Sequence, residues 1–389
     1  MTSFLYVLLG ILILSLLVFI HEGGHYLASR AFGVRVTEFM LGLPGPNVGI
    51  TRRGTKFGVT PILLGGYARV CGMEPGEESP HLEAALASLY RRGTANMEDV
   101  ASDCGITDDE AYEALEQLVS WGSCSGPTKK DEFNTYRARE VRADELETER
   151  RRARRRPLRA RRAKETPMPA DAAAFEVAAG HGVYALGEAR PVPDPHALFE
   201  SERRQQYRSL PFWKRSVILV AGPATNLLLV FAAFVIVYGV MGIDYLNQAT
   251  GEVIHHNFAP WECVAIGFNY LGMVVDAVAG LFNPATVADT VSQSSSVVGI
   301  VALTGSMFEQ GLQNGLFFIA AISASLGIMN LLPVPPLDGG KLVIEVVQRI
   351  TRRTVSEKVQ NGISLAGMAA FLLLFVVLLN QDIQNFILK

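Results

Sequence analysis

Apolar and polar residues in this chain are sorted into long blocks before they are sorted into periods. The run from Phe4 to Ile20 carries no charged residue, and residues 3–28 are long enough to cross a bilayer as one helix. Comparable blocks occupy Val217 to Met241, Gly315 to Leu332 and Ser364 to Asn380. The pattern predicts a membrane α-helical protein with about four transmembrane helices. A further apolar stretch, Val264 to Phe282, contains Asn269 and Asp276 and reads as an amphipathic or interfacial helix, with a short extra span as the alternative.

Between the blocks the period changes. In residues 32–73, Val34, Val36, Phe39, Leu41, Phe57, Val59 and Ile62 are set among Gly and Pro, which predicts membrane-associated β-hairpins. Such a sheet offers an edge strand to an extended peptide, or serves as a plain connector. Residues 74–206 are hydrophilic. Leu82, Ala85, Leu86 and Leu89 form one helical stripe, and Ala111, Leu115, Leu118 and Val119 another. Between them Gly105 and Thr107 read as a turn and an N-cap, so 74–130 is predicted as a winged-helix-like cytoplasmic insert. Its second helix would carry Asp108, Asp109, Glu110, Glu113 and Glu116, which opposes binding to nucleic-acid phosphates. Residues 81–127 are therefore expected to meet a cytoplasmic protein partner or to be an inert insert. Residues 131–206 read as a basic, Pro- and Ala-rich linker. Its arginine run, 150–164, either attracts anionic lipid or is a solvated helix.

Composition sharpens this division. The chain has 389 residues, 49% apolar and 19% charged, with a mean hydropathy of +0.23. The net charge of −3 conceals the fact that no Lys or Arg occurs between Arg215 and Lys341. Basic residues gather between the first and second spans and between the third and fourth. Those loops are expected in the cytoplasm, with both termini outside. The start of the chain lacks the basic region and cleavage site of a secretory signal. The division predicted is 1–31 for the first span, 32–73 for the hairpins, then the insert and linker. A second span at 207–242 follows, an extracytoplasmic or interfacial segment at 243–314, a third span at 315–340, a cytoplasmic loop at 341–361 and a fourth span within 362–389. The four cysteines form no metal-ligand spacing and read as free thiols.

Candidate chemistry begins where the first block ends, at His21-Glu22-Gly23-Gly24-His25. Positions i and i+4 share a helix face, so two imidazoles can converge on one cation, with Glu22 beside them to accept a proton from water. Far along the chain, Asn330-Leu331-Leu332-Pro333-Val334-Pro335-Pro336-Leu337-Asp338-Gly339-Gly340 must unwind at membrane depth. Asp338 at that break is available as a third ligand, leaving one position for water. Asn226 lies within the second span, after Gly222 and Pro223. A side-chain amide there either clamps an extended substrate backbone or joins helices. A zincin of another fold would need a His or Glu soon after the motif at helical spacing, and none follows.

Together, His21 to His25, the Gly65-Gly66-Tyr67 hairpin, Ala221 to Asn226 and Asn330 to Gly340 resemble the site-2 intramembrane metalloproteases. The likeness is to the bacterial branch that cleaves anti-sigma factors, and it covers 3–73 and 207–380. The resemblance implies Zn2+ on His21, His25 and Asp338, and Glu22 as general base. It implies substrate contacts from Asn226, Asn330 and the Gly65-Gly66 hairpin. The expected substrates are single-span membrane proteins, including anti-sigma factors and remnant signal peptides, in the cell inner (plasma) membrane. Two departures stand out: 243–314 is too short for the PDZ domain usual in that branch, and the 74–206 insert is unusual. Both leave a competing expectation, a metal-stabilised membrane scaffold that displays a cytoplasmic domain.

Overall fold

The computed structural model describes residues 2–74, 76–129, 131, 134–147, 183–246 and 251–386. The arginine run at 150–164 lies outside them. Helix α1 (Thr2–Phe32) carries the first apolar block and the HEGGH motif in one unbroken element. Four strands follow: β1 (Val36–Leu41), β2 (Val48–Arg52), β3 (Thr55–Val59) and β4 (Gly66–Val70). Their order is β2-β3-β1-β4, with β1 parallel to β3 and antiparallel to β4. Arg53 and Gly54, both at positive φ, make the two-residue hairpin between β2 and β3. Phe39 of β1 packs on Phe19 and Tyr26 of α1, with ring centroids 4.4 and 5.1 Å apart. That contact fixes the sheet against the motif-bearing helix and leaves β4 as an edge strand.

The insert is a small domain of helix, strand, two helices and two strands. These are α2 (Leu82–Arg92), β5 (Thr94–Asn96), α3 (Met97–Cys104), α4 (Asp108–Ser120), β6 (Cys124–Ser125) and β7 (Thr135–Ala138), with an antiparallel sheet ordered β5-β7-β6. Leu82, Ala85, Leu86, Leu89, Ala111, Leu115 and Leu118 form its core. Asn96 and Thr107 cap α3 and α4, each in a capping box with Asp99 and Glu110 respectively, and Gly105 turns between them at φ +66°. The domain extends beyond its predicted end. Tyr136 and Ala138 of β7, and Leu198 of α5 (Pro195–Arg203), fill the same core, although 131–206 reads as linker. Alternation hides these residues: Tyr136 and Ala138 point inward while Thr135 and Arg137 supply the polar composition.

The membrane part resumes with α6 (Phe212–Phe234), which runs through Pro223 without breaking and ends in a wide turn at Val235–Val240. A hairpin of β8 (Ile243–Leu246) and β9 (Val253–His256) leads to α7 (Pro260–Gly280). Then come α8 (Val287–Gln293), α9 (Val297–Glu309), α10 (Leu312–Asn330), α11 (Asp338–Thr351) and α12 (Glu357–Phe386). Among the described residues five helices are long and apolar enough to cross a membrane, or six if α8 and α9, bent by 51°, count as one span.

By length and composition that is at least one candidate more than the four spans expected, in line with the alternative of a short extra span. Helix α7 is the added candidate: Glu262, Asn269 and Asp276 recur seven residues apart as one exposed polar stripe, and apolar side chains cover much of the rest of its outer surface. Trp261, Phe268, Met273 and Val275 are exposed, while Cys263 and Gly267 are buried. Within the predicted cytoplasmic loop 341–361, residues up to Thr351 belong to α11 and those from Glu357 to α12. In α11, Leu342, Ile344, Val346 and Ile350 alternate with Glu345 and Arg349 at helical spacing, which an apolar count of a short basic stretch overlooks. The interval 243–314 is one short hairpin and helices among the described residues.

Candidate metal centre

The α1 helix sets His21 and His25 one turn apart with ring centroids 5.0 Å from each other. Their Nε2 atoms are 3.3 Å apart, and both face Asp338 Oδ2, at 3.1 Å from His21 and 3.0 Å from His25. All three side chains are buried. Among the described residues this is the one group of three His, Cys, Asp or Glu side chains that converges in this way. Donor atoms held about 2.0–2.1 Å from a tetrahedral Zn2+ lie roughly 3.3 Å from one another. The observed separations fit such an ion, and the two-nitrogen, one-oxygen donor set is one that zinc accepts.

Each of the three side chains is delivered by a different local device. Asp338 begins α11 directly after the proline turn, and Gly339 and Gly340 let that start tuck under it. A methyl group on Gly339 would overlap the Leu331 carbonyl, and one on Gly340 the Pro335 nitrogen. The other carboxylate oxygen of Asp338 lies 3.4 Å from Lys341 Nζ. The histidines are backed by α6. Gly24 faces the Ala221 carbonyl so closely that it has no room for a Cβ, and a Cβ on Gly222 would overlap His25 Nε2. His25 Nδ1 donates to the Ile218 carbonyl at 2.7 Å, and Asn226 Nδ2 lies 3.4 Å from His21 Nδ1. Thr225 Oγ1 donates to the Ile20 carbonyl at 3.2 Å, a second stitch between α1 and α6.

Glu22 lies on the neighbouring face of α1. The Ala68 N–H of β4 donates to its Oε2 at 3.1 Å. A carboxylate therefore stands between the triad and the edge strand. Gly65 and Gly66 sit at the mouth of β4, where Gly65 adopts φ +114° and its N–H donates to Ser15 Oγ at 3.4 Å. Asn330 is turned to its own helix, with Nδ2 donating to the Leu326 carbonyl at 2.9 Å. Sequence reasoning had no access to the Ile218 carbonyl or the Ala68 N–H, because backbone groups carry no residue signature. Lys341 was visible only as a neighbour of Asp338.

Comparison with known proteins bears on this arrangement. The sequence model of peptidase family M50 matches residues 9–374. The chain is 23% identical to zinc metalloprotease RasP of Geobacillus kaustophilus, with 97% of this chain and 97% of that protein covered. It is 23% identical to zinc metalloprotease RasP of Shouchella clausii, covering 96% of this chain and 98% of the relative. A protein of Agrobacterium fabrum, whose name marks it as a zinc metalloprotease by prediction, is 26% identical over 99% of this chain and 98% of its own length.

Proposed function

The chain belongs to peptidase family M50, and from that premise we propose that it cleaves single-span membrane proteins inside the bilayer. It is a zinc metalloprotease of the site-2 type and an integral membrane protein. In our reading His21, His25 and Asp338 hold the zinc and Glu22 is the general base. Substrates are single-span proteins such as anti-sigma factors and remnant signal peptides. The observation that carries the reading is the position of Glu22, with the ligand triad on one side and the backbone of edge strand β4 on the other.

A transmembrane helix protects its peptide bonds with its own hydrogen bonds, so it must be unwound before hydrolysis. In an antiparallel edge strand alternate N–H groups point away from the sheet. Gly66 shares the outward direction of Ala68, and a substrate segment added there would lie beside Glu22 in extended form. Bound zinc would supply a Lewis acid that polarises a carbonyl and lowers the pKa of water. The Glu22 carboxylate would take the proton from the attacking water and return it to the leaving amine. Burial of the triad keeps bulk water from the reacting carbonyl until a substrate is seated.

In our reading the insert is winged-helix-like, which its strand order and helix succession support, and its outward acidic residues suit a cytoplasmic protein partner over nucleic acid. The arginine run is read as a contact for anionic lipid at the inner face of the plasma membrane. Both termini would be extracytoplasmic, which requires an even number of crossings; α8 with α9 as one span gives six. The test is to co-express the protein or its Glu22→Gln variant with tagged single-span candidates. The variant should let uncut substrate accumulate while still binding zinc. Cleavage by Glu22→Gln at the unmodified rate would remove Glu22 from this role.

A further inference from the structure

We propose that Asn226 is a positioning residue for His21, acting on the metal ligand instead of on substrate, within a stripe of α6 that also includes Ile218 and Gly222. The inference rests on the metal-centre reading above. A histidine that offers Nε2 to a cation must carry its proton on Nδ1, and that proton needs an acceptor. For His25 the acceptor is the Ile218 carbonyl, 2.7 Å away. For His21 the group at Nδ1 is the side-chain amide of Asn226, at 3.4 Å.

Asn226 is 0% exposed, and its Oδ1 has no hydrogen-bond partner. A buried amide oxygen without a donor is costly. A half-turn of the amide exchanges its nitrogen and oxygen with almost no change in shape. It brings Oδ1 to Nδ1 of His21, so the orphaned acceptor and the imidazole proton satisfy each other. Positions 218, 222 and 226 are four apart and share one helix face. The outer two hold the two Nδ1 atoms, and the middle one is bare because a Cβ there would strike His25 Nε2. The stripe is anchored in turn: Ser323 Oγ of α10 donates to the Asn226 carbonyl at 2.9 Å. The Asn226 side chain is fully buried and meets His21 at Nδ1, while the Nε2 of that ring faces Asp338.

The experiment is a chelator competition for zinc on the detergent-purified full chain, with the visible spectrum of the Co2+-substituted protein as a second readout. Asn226→Leu, which cannot accept a hydrogen bond, should weaken zinc binding about 10- to 100-fold and change the Co2+ spectrum. Asn226→Asp keeps an acceptor and should bind zinc nearly as the unmodified protein does. If Asn226→Leu fails to fold, Asn226→Ser, too short to reach Nδ1, decides by the same criterion. Unchanged zinc affinity with a raised KM in these variants would overturn the positioning role and return Asn226 to substrate. His21→Ala separates the two levels. Loss of zinc there with normal binding in Asn226→Leu defeats the positioning role alone. Normal zinc binding in His21→Ala defeats the ligand set, and the proposal with it.

Discussion

Gly222 shows how much of the centre is decided by what a residue lacks. Between two buried imidazoles, the missing Cβ lets α6 come close enough to supply the Ile218 carbonyl and the Asn226 amide. Gly222→Ala should therefore lower zinc content in the purified protein while the insert stays folded. Full zinc occupancy would show that the helices can move apart at no cost to the site. Lys341 makes a milder case, because its side chain is half exposed. It faces one oxygen of Asp338 while the other faces the histidines, so Lys341→Met should weaken zinc by about tenfold or less, as measured by chelator competition. The titratable members of the site were legible in sequence, since His21 and His25 are spaced for one helix face and Asp338 follows a break no helix can cross. What holds them was not legible. Ile218 enters through a carbonyl and Ala68 through an N–H, and neither leaves a trace in residue type.

The sheet beside Glu22 and the insert are joined by a buried ionic contact. Arg35, just before β1, donates to Glu202 through Nη1 at 2.6 Å and Nη2 at 3.1 Å, and also to the Gly122 carbonyl at 3.2 Å. Ser123 Oγ donates to the same carboxylate at 2.6 Å. The Arg35 carbonyl accepts from Cys71 N–H at 3.0 Å, so the residue that grips the insert also closes the β1–β4 pair. Burial alone would raise the Glu202 pKa, but the Arg35 and Arg139 guanidinium groups outweigh it and hold the carboxyl well below the usual range. As pH falls below about 4.3, the ordinary Glu value, the unfolded chain takes up a proton that the native state refuses. The contribution of Glu202 is thus complete above that pH and is lost as acidification proceeds through the native value. Glu202→Gln strands a buried Arg35 and should cost about 3–5 kcal/mol at neutral pH, with a smaller difference from the unmodified protein in acid. Melting curves of both proteins at pH 7 and pH 3.5 check this, and equal differences at the two values would contradict it. Within the insert, the Leu82–Leu89 stripe and the Thr107 cap were legible because period and capping are local. Its closure by β7 and α5 was not: Tyr136 and Ala138 sit in a strand too short to show a period, and Leu198 joins the core from far along the chain.

At the scale of the whole molecule, hydropathy blocks revealed the membrane class and marked four of the five helices among the described residues that are long and apolar enough to cross. Two polar residues, Asn269 and Asp276, set α7 apart from the other apolar blocks; with Glu262 they line one exposed stripe of a helix whose other exposed side chains include Trp261, Phe268, Met273 and Val275. The count decides topology. With α8 and α9 crossing together, a C-terminal tag should be modified only by reagents on the extracytoplasmic side, while a tag in the insert is reached only from the cytoplasm. Labelling of both from one side would remove that crossing. In the proposed function the triad and Glu22 cut a membrane segment within the bilayer. The most direct measurement is mass spectrometry of the products formed from one single-span substrate in proteoliposomes. We predict a scissile bond inside the substrate's apolar segment, formed by the zinc-loaded protein and absent with Glu22→Gln. Products cut only in the soluble flanks, or the same products from Glu22→Gln, would contradict the account.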